Sequence, residues 1–222
     1  EEFPALLNIN IKTLQSAYTI NKLNMSRVAG NECQVISLYG KDDLRYNYRL
    51  CVEKKSGLLL GAQTLNANKE VIEQIAFTQI NIGEVEKASL QPSFTQTQHW
   101  KIENLTVKAN VNSGWKVNFL PLGFKKTLET KRIIPISINT NDITSSKNSV
   151  KSHQVVQMMF SDGLSSISVF IEPNLGNRIE GVLQQGAMTI MGQRKDDYWL
   201  TVVGEVPQSA ITKVMASIKF KK

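Results

Sequence analysis

The clearest pattern of apolar positions lies near the end of the chain, between Tyr198 and Phe220. Residues Tyr198 to Val203 form an aromatic and β-branched run, which is typical of a strand covered on both faces. Pro207 suits the first turn of a helix. Apolar residues then recur at helical spacing, at Ile211, Val214, Met215 and Ile218. We therefore expect a buried strand followed by an amphipathic helix that packs on a sheet.

Alternation with a period of two dominates the first part of the chain and predicts antiparallel strands. Residues 32–40 and 44–53 flank a short polar turn at 41–43, which indicates a β-hairpin. A second hairpin is expected from residues 58–65 and 71–82. Two successive hairpins with long apolar runs predict a curved, open antiparallel sheet.

The side chains of the first hairpin favour one register. If Gly40 faces Leu44, one face of the hairpin is largely apolar, whereas a slip of one residue would mix apolar and charged positions. The same register sets Cys33 directly opposite Cys51. Cross-strand neighbours lie about 4.5 to 5.5 Å apart, which is within the Cα range of a disulfide. We hypothesise a disulfide between these two cysteines, and two free thiols are the open alternative.

The second part of the chain combines further hairpins with the terminal helix. Residues 154–160 and 164–172 flank Ser161-Asp162-Gly163, a strong turn signal, while residues 178–186 are interpreted as a connection. Another hairpin is expected from residues 187–192 and 198–203. The prediction is an α+β protein of two domains, at residues 1–90 and 113–222, joined by a polar linker at 91–112.

Length and charge are consistent with this division. The 222 residues suit two domains of about 100 residues each. The 26 Lys and Arg residues exceed the 19 Asp and Glu residues by seven, and a net charge of +7 suits anionic partners. Two cysteines and two histidines are too few for a zinc cluster, so neither a metal nor a cofactor is expected.

Motifs of catalysis and of nucleic-acid binding are absent from the sequence. It contains no GxSxG, Walker loop, HExxH or GxGxxG, and Ser161-Asp162-Gly163 is better interpreted as a turn than as part of a hydrolase site. No basic stripe with interleaved aromatic residues and no helix-turn-helix pattern is present. We therefore expect neither an enzyme nor a nucleic-acid partner.

Several motifs resemble the RseB/MucB family in consistent order along the chain. In the second half these are Trp115 with Leu120-Pro121-x-Gly123-Phe124, then Phe160-Ser161-Asp162-Gly163-Leu164, and then Val203-Gly204-Glu205-Val206-Pro207. In the first half, Cys33-Gln34-Val35-Ile36 and Arg45-Tyr46-x-Tyr48 are similar to the end of the family's N-terminal domain.

This resemblance implies a periplasmic regulator of the envelope-stress sigma factor that is not an enzyme. It would bind the periplasmic region of an anti-sigma factor of the RseA/MucA type and protect it from regulated proteolysis, with lipid or lipopolysaccharide as the releasing signal. The family's N-terminal domain is similar to LolA and LolB. The resemblance therefore implies that residues 1–90 form part of a LolA-like curved sheet, because a further segment precedes them in the family. A periplasmic carrier of lipids or lipoproteins is the alternative function.

Two kinds of surface are candidates for binding the partner. The first is a set of basic residues that could contact acidic segments or lipid phosphates: Lys125, Lys126, Lys131, Arg132, Arg178, Arg194 and Lys195. For each of them the alternative is an ordinary solvated surface charge. The second is an exposed strand edge, to which an incoming segment can add as a further strand. Self-association into a homo-oligomer is left open.

Overall fold

The protein folds into two β-rich units. The structure, a computed structural model, describes residues 11–91, 98, 108–109, 111–135, 152–176 and 178–221. Within these ranges the chain forms two α-helices, a 3₁₀ turn at Lys87–Leu90 and fourteen strands, and every strand pair is antiparallel. The predicted α+β class is confirmed. Most of the predicted linker at 91–112 lies outside the described residues.

The first unit is a short helix followed by a five-stranded sheet whose strands keep their chain order. The elements are α1 (Ile11–Ala17), β1 (Tyr18–Val28), β2 (Asn31–Gly40), β3 (Asn47–Glu53), β4 (Leu59–Leu65) and β5 (Val71–Ala76). Both expected hairpins are present, and β1 adds a strand at one edge. The turn between β2 and β3 runs from residue 41 to 46 and is longer than predicted, because β3 begins only at Asn47.

The predicted register of the β2–β3 hairpin is wrong by two residues. Ile36 pairs with Leu50 and Leu38 pairs with Tyr48, where the prediction paired Ile36 with Tyr48. A shift of two residues leaves each side chain on its predicted face, because side chains alternate with a period of two. The apolar pattern alone could therefore define the faces but not the partners.

Cys33 and Cys51 are linked by a disulfide, although they are not directly opposite each other. Cys33 pairs with Glu53 and Cys51 pairs with Val35, so the two cysteines are diagonal neighbours. Their Cα atoms are 5.3 Å apart, within the usual range for a disulfide. The bond joins the two strands of the hairpin that carries the long β2–β3 turn.

Mass spectrometry can test this disulfide. We expect the denatured, unreduced protein to take up no alkylating label, and reduction to lower the free energy of unfolding by about 3 kcal/mol, since the bond closes a loop of about 18 residues. Protein reduced before denaturation is the control and should carry two labels. Two labels on the unreduced protein would contradict the disulfide.

The second unit is a seven-stranded sheet with one helix on it. Its strand order is β11-β12-β13-β10-β9-β8-β6, and a separate two-stranded sheet joins β7 and β14. The strands are β6 (Lys108–Ala109), β7 (Trp115–Val117), β8 (Lys125–Pro135), β9 (Ser152–Ser161), β10 (Ser166–Pro173), β11 (Gly181–Gln185), β12 (Met188–Lys195), β13 (Tyr198–Gly204) and β14 (Ile218–Phe220).

The predicted strand and helix at the end of the chain are both present. They are β13 and α2 (Gln208–Ser217), and the helix buries Ala210, Ile211, Val214 and Met215 against the sheet. Ile218 is buried as expected, but it belongs to a strand and pairs with Val117. The helix therefore ends one residue before the last apolar position of the predicted stripe.

The connection predicted at residues 178–186 instead contains a strand. β11 pairs with β12, and all five of its residues are exposed. Val182 and Leu183 are adjacent apolar residues, so the segment lacks the alternation that marks a half-buried strand. β11 is consequently an edge strand of the second sheet.

Candidate functional site

The two units meet at a buried guanidinium group. Arg45 lies in the turn between β2 and β3, and its side chain has 0% exposed surface. Its Nε donates to Oδ1 of Asp42 at 2.9 Å, and its Nη2 donates to Oδ2 of Asp42 at 3.0 Å. This two-bond fork matches the planar guanidinium to the carboxylate and fixes its orientation.

The other side of the same guanidinium contacts the second unit. Nη1 of Arg45 donates to Oδ2 of Asp162 at 3.2 Å, and Nη2 donates to the carbonyl of Leu122 at 2.7 Å. The Tyr18 hydroxyl donates to Oδ2 of Asp162 at 3.0 Å, and the centroid of the Tyr18 ring lies 5.1 Å from the guanidinium carbon. We refer to Tyr18, Asp42, Arg45 and Asp162 as the Arg45 cluster.

Asp162 is held in place by its own turn. Its Oδ1 accepts from the N–H groups of Leu164 and Ser165, each at 2.9 Å, which leaves Oδ2 for Arg45 and Tyr18. Gly163 has a φ of +97°, a conformation that favours glycine. The sequence correctly indicated a turn here, but it did not reveal the interface role of the Asp162 carboxylate.

The surroundings of the cluster shift the pKa of three of its members. Burial alone would raise the pKa of Asp42, but the bonds from Arg45 and from the Leu44 N–H, with the charges of Arg45 and Lys213, lower it overall. Burial alone would lower the pKa of Arg45, but the hydrogen bonds and charges of Asp42 and Tyr18 together raise it. Burial also raises the pKa of Tyr18, so its hydroxyl stays protonated and can donate.

The lowered pKa of Asp42 predicts an acid-dependent loss of stability. A carboxyl group whose pKa is lower in the folded than in the unfolded state contributes stability that is fully present at pH values above the unfolded pKa, which is about 3.9 for Asp. This contribution is lost as the pH falls through the folded pKa. We expect Asp42→Asn to flatten the decline of the thermal midpoint below about pH 4. Asp43→Asn is the matched control. Identical slopes for wild type and Asp42→Asn would contradict the prediction.

A second contact between the units lies at the tip of the β11–β12 hairpin. Ala187 is buried among side chains of the first unit, and its N–H donates to Oε2 of Glu73 at 3.1 Å. The Gln184 amide donates to the Tyr46 hydroxyl at 3.2 Å. In the opposite direction, Leu44 packs into the core of the second unit. The Ser209 hydroxyl of α2 also donates to the Asp43 carbonyl at 3.0 Å, so the two units touch at more than two places.

A cleft of about 660 Å³ lies between the two units, beside Arg45 on one side and Gln184 on the other. One wall is formed by the β2–β3 and β4–β5 turns, and the other by β11 and the start of α2. Most of its lining residues are polar by type, but the surface that they present to the cleft is more apolar than polar. The lining residues are Tyr39, Gly40, Lys41, Asp42, Asp43, Arg45, Tyr46, Asn47, Asn66, Ala67, Lys69, Gln184, Pro207 and Gln208. Polar groups and apolar surface thus face one space, which suits a ligand that combines hydrogen-bonding groups with apolar side chains.

A smaller hollow of about 240 Å³ lies on the first unit. Its lining is largely apolar: Val28, Val35, Leu50, Cys51, Gly61, Ala62, Ile75 and Ala76, with Ser26, Arg49, Gln63 and Gln74 as the polar members. It contains one half of the disulfide. The hollow and the cleft therefore differ in chemistry as well as in place.

The structure does not bring the seven predicted basic residues together in the cleft, whose lining includes none of them. Lys126 pairs with Glu129 at 2.6 Å, and Arg178 pairs with Glu172 at 2.5 Å. Lys195 donates to the carbonyl of Ile218, and Arg194 donates to that of Asp196. Lys125 and Arg132 are exposed, and Lys131 is half-buried. Their contact with a partner remains a prediction.

The described part of the chain carries neither a metal site nor a membrane-spanning helix. No group of three or more His, Cys, Asp or Glu side chains in it is arranged to hold a metal ion. None of its helices has the length and apolar composition required to cross a membrane. The arrangement that it does show is a pair of antiparallel β units, with a cleft between them and an open strand edge beside the cleft. These features define a class of α+β proteins with two β-rich units and a candidate binding cleft between them.

Comparison with known families identifies the chain's relatives. The family model described as the MucB/RseB N-terminal domain matches residues 1–96, and that of the MucB/RseB C-terminal domain matches residues 109–219. The chain belongs to the MucB/RseB family.

A relative and two solved structures agree with this assignment. The sigma-E factor regulatory protein RseB of Haemophilus influenzae is 26% identical over 231 residues, which cover 100% of this chain and 65% of that protein. MucB in complex with MucA(peri) aligns with 27% identity and a TM-score of 0.73, covering 96% of this chain and 71% of that one. A further crystal structure of MucB aligns with 26% identity and a TM-score of 0.61, covering 95% and 66%. The chain thus spans about 65% of the length of the curated relatives that it matches.

Proposed function

We propose that this protein is a periplasmic regulator that binds an extended segment of an anti-sigma factor and shields it from proteolysis. The observation that carries the proposal is the structural similarity to MucB in its complex with MucA(peri), which extends over 96% of this chain. The function is one of binding, and no catalytic step is part of it. The release of the anti-sigma factor is not assigned to either of the two units.

The cleft is the surface that best supports binding of a peptide segment. The Gln208 amide on one wall and the Tyr39 hydroxyl on the other could bond to the backbone of an extended chain, whereas the Asn47 and Asn66 amides already have partners within the chain. Lys69 lies 5.1 Å from the ring centroid of Tyr39, and Lys41 is a second cation in the lining. Because Asp42 is paired with Arg45, these two lysines outnumber the other acid of the lining, Asp43, and favour a segment that carries acidic residues.

β11 provides a strand edge next to the cleft. Its residue Gln184 lines the cleft, and β12 occupies one of its sides, while its other side is the edge of the sheet. Gly181–Gln185 carries no charge and no proline, which are the usual features that prevent an edge from pairing. An extended partner segment could therefore add as a strand beside β11, with Val182 and Leu183 contacting its side chains.

Calorimetric titration with the periplasmic domain of the cognate anti-sigma factor tests this surface. Leu183→Lys sets a charge on the exposed edge, and we expect it to weaken binding by about ten-fold. Leu90→Lys is the matched control, because Leu90 is a similarly exposed leucine, at 70% against 64%, in the 3₁₀ turn outside the cleft. Equal affinities for both variants and wild type would exclude β11 from the interface.

Shielding requires a separate measurement. A soluble endoprotease should cleave the isolated anti-sigma periplasmic domain more slowly when this protein is present at saturating concentration. Cleavage of an unrelated unfolded substrate is the control and should be unchanged. If the two proteins bind each other but cleavage is not slowed, the anti-sigma factor is a partner of this protein and the protective role is wrong.

The apolar hollow favours a second candidate function, the binding of an acyl chain. At about 240 Å³ it is slightly smaller than the roughly 300 to 1,000 Å³ of most ligand pockets, so it suits one chain rather than a whole lipid. A fluorescent fatty acid should bind to wild type and lose affinity in Ala76→Leu, which fills the hollow. Thr212→Leu, an apolar change at an exposed position of α2 outside the hollow, is the control. Equal binding by Ala76→Leu would contradict the assignment.

A further inference from the structure

Three turns of the chain converge on one guanidinium group. The β2–β3 turn supplies Arg45 and Asp42, and the other two turns supply the carbonyl of Leu122 and the carboxylate of Asp162. We infer that the Arg45 cluster is an orientation lock, which fixes the angle between the two units and thereby the width of the cleft. The lock itself does not depend on the proposed function, and only the identity of the partner that binds in the cleft rests on it.

The bonds of the cluster are directional, and this is why it can set an angle. The guanidinium of Arg45 makes two bonds to Asp42 in its own unit and one each to Asp162 and Leu122 in the other. The donors of a guanidinium lie in one plane at fixed angles, so a rotation of one unit breaks the bonds to the other. The bonds of Ala187 to Glu73 and of Gln184 to Tyr46 also join the two units, but each is a single bond from one donor and fixes an angle less firmly than the planar guanidinium.

The cluster is also part of the cleft. Asp42 and Arg45 line the cleft, and Tyr46, the next residue, bonds across it to Gln184. A change in the angle at Arg45 therefore moves one wall of the cleft relative to β11. Buried ion pairs contribute little net stability on average, so a specific geometry is the more informative role to test.

Two MucB structures differ in how they align with this chain. MucB in complex with MucA(peri) has a TM-score of 0.73, and the further MucB crystal structure has 0.61, at nearly the same coverage of 96% and 95%. The two structures therefore differ in how closely they match this chain overall. If only molecules with one angle between the units can bind a partner, the affinity is proportional to the fraction of molecules at that angle. A contact that selects this angle therefore raises the affinity.

Pulsed electron paramagnetic resonance tests the lock without any partner. Spin labels at Lys55→Cys and Lys219→Cys, which are exposed residues of the first and the second unit, report the distance between the units in the full chain with its disulfide intact. We expect a narrow distance distribution in wild type, a broad or shifted one in Arg45→Met, and a smaller change in Tyr18→Phe, which removes only one hydroxyl. Arg49→Met is the control, because Arg49 lines the hollow and not the cleft.

The outcomes separate the lock from the proposed function. An unchanged distribution in Arg45→Met overturns the inference, and if Arg45→Met does not fold, an unchanged distribution in Tyr18→Phe overturns it. In a titration with the anti-sigma periplasmic domain, we expect Arg45→Met to lose affinity on the order of ten-fold. A broadened distribution with unchanged affinity would refute the link to the cleft. If wild type itself does not bind, the proposed function fails, whereas the distances still decide the lock.

Discussion

Arg45→Met should lower the free energy of unfolding by about 3 to 5 kcal/mol, because it leaves the carboxylate of Asp162 buried without a counter-charge. The side chains of Arg45 and Asp162 are 0% and 2% exposed, so water cannot replace the lost cation. The Tyr18 hydroxyl would remain as a donor to the carboxylate, but it carries no charge. Urea unfolding followed by circular dichroism measures the change.

A double variant isolates the cause of this loss. In Arg45→Met/Asp162→Asn the uncompensated charge is gone, and the new amide oxygen at position 162 can still accept from the Leu164 and Ser165 N–H groups. We expect the double variant to be more stable than Arg45→Met alone. Additive losses from the two single variants would show that no ion pair couples these residues.

Ile211→Ala should have an effect of similar size on the second unit. Ile211 has no exposed surface and lies in the core that α2 forms with the second sheet. Removal of buried methyl groups from a packed core costs about 2 to 5 kcal/mol, and the complete burial of Ile211 favours the upper half of that range. Chemical denaturation gives the value.

The control for the helix is its neighbouring residue. Thr212 is exposed on α2, so Thr212→Ala substitutes one residue of the helix without opening a cavity. The free energy of unfolding of this variant should stay within about 0.5 kcal/mol of wild type. A loss below about 1 kcal/mol in Ile211→Ala would contradict the packing of α2 on the sheet.

Local patterns predicted those elements whose signals are contained in a few neighbouring residues. The run from Tyr198 to Val203 and the helical stripe after Pro207 correspond to β13 and α2, because burial on the sheet imposes both patterns. β11 was missed, because an exposed edge strand has no buried face to impose alternation. The hairpin register was wrong by two residues for a related reason, since period-two alternation is the same after a shift of two.

The candidate site was largely hidden from the sequence. Arg45 and Asp162 are 117 positions apart, and only the packing of the two units brings them together. A weak local signal exists, because Arg45 stands between two buried residues, Leu44 and Tyr46, three positions after an aspartate. Charge counting could not separate the basic residues that already have internal partners, such as Lys126 with Glu129, from those that are free to contact a ligand.

Hydrogen–deuterium exchange tests the central claim most directly. The chain is compared with and without a saturating amount of the cognate anti-sigma periplasmic domain, and exchange is followed in each strand. If an extended segment occupies the cleft and adds to the sheet edge, amide exchange should slow in β11 (Gly181–Gln185) and in the β2–β3 turn at residues 41–46. Saturated binding with unchanged exchange in both segments would contradict the claim.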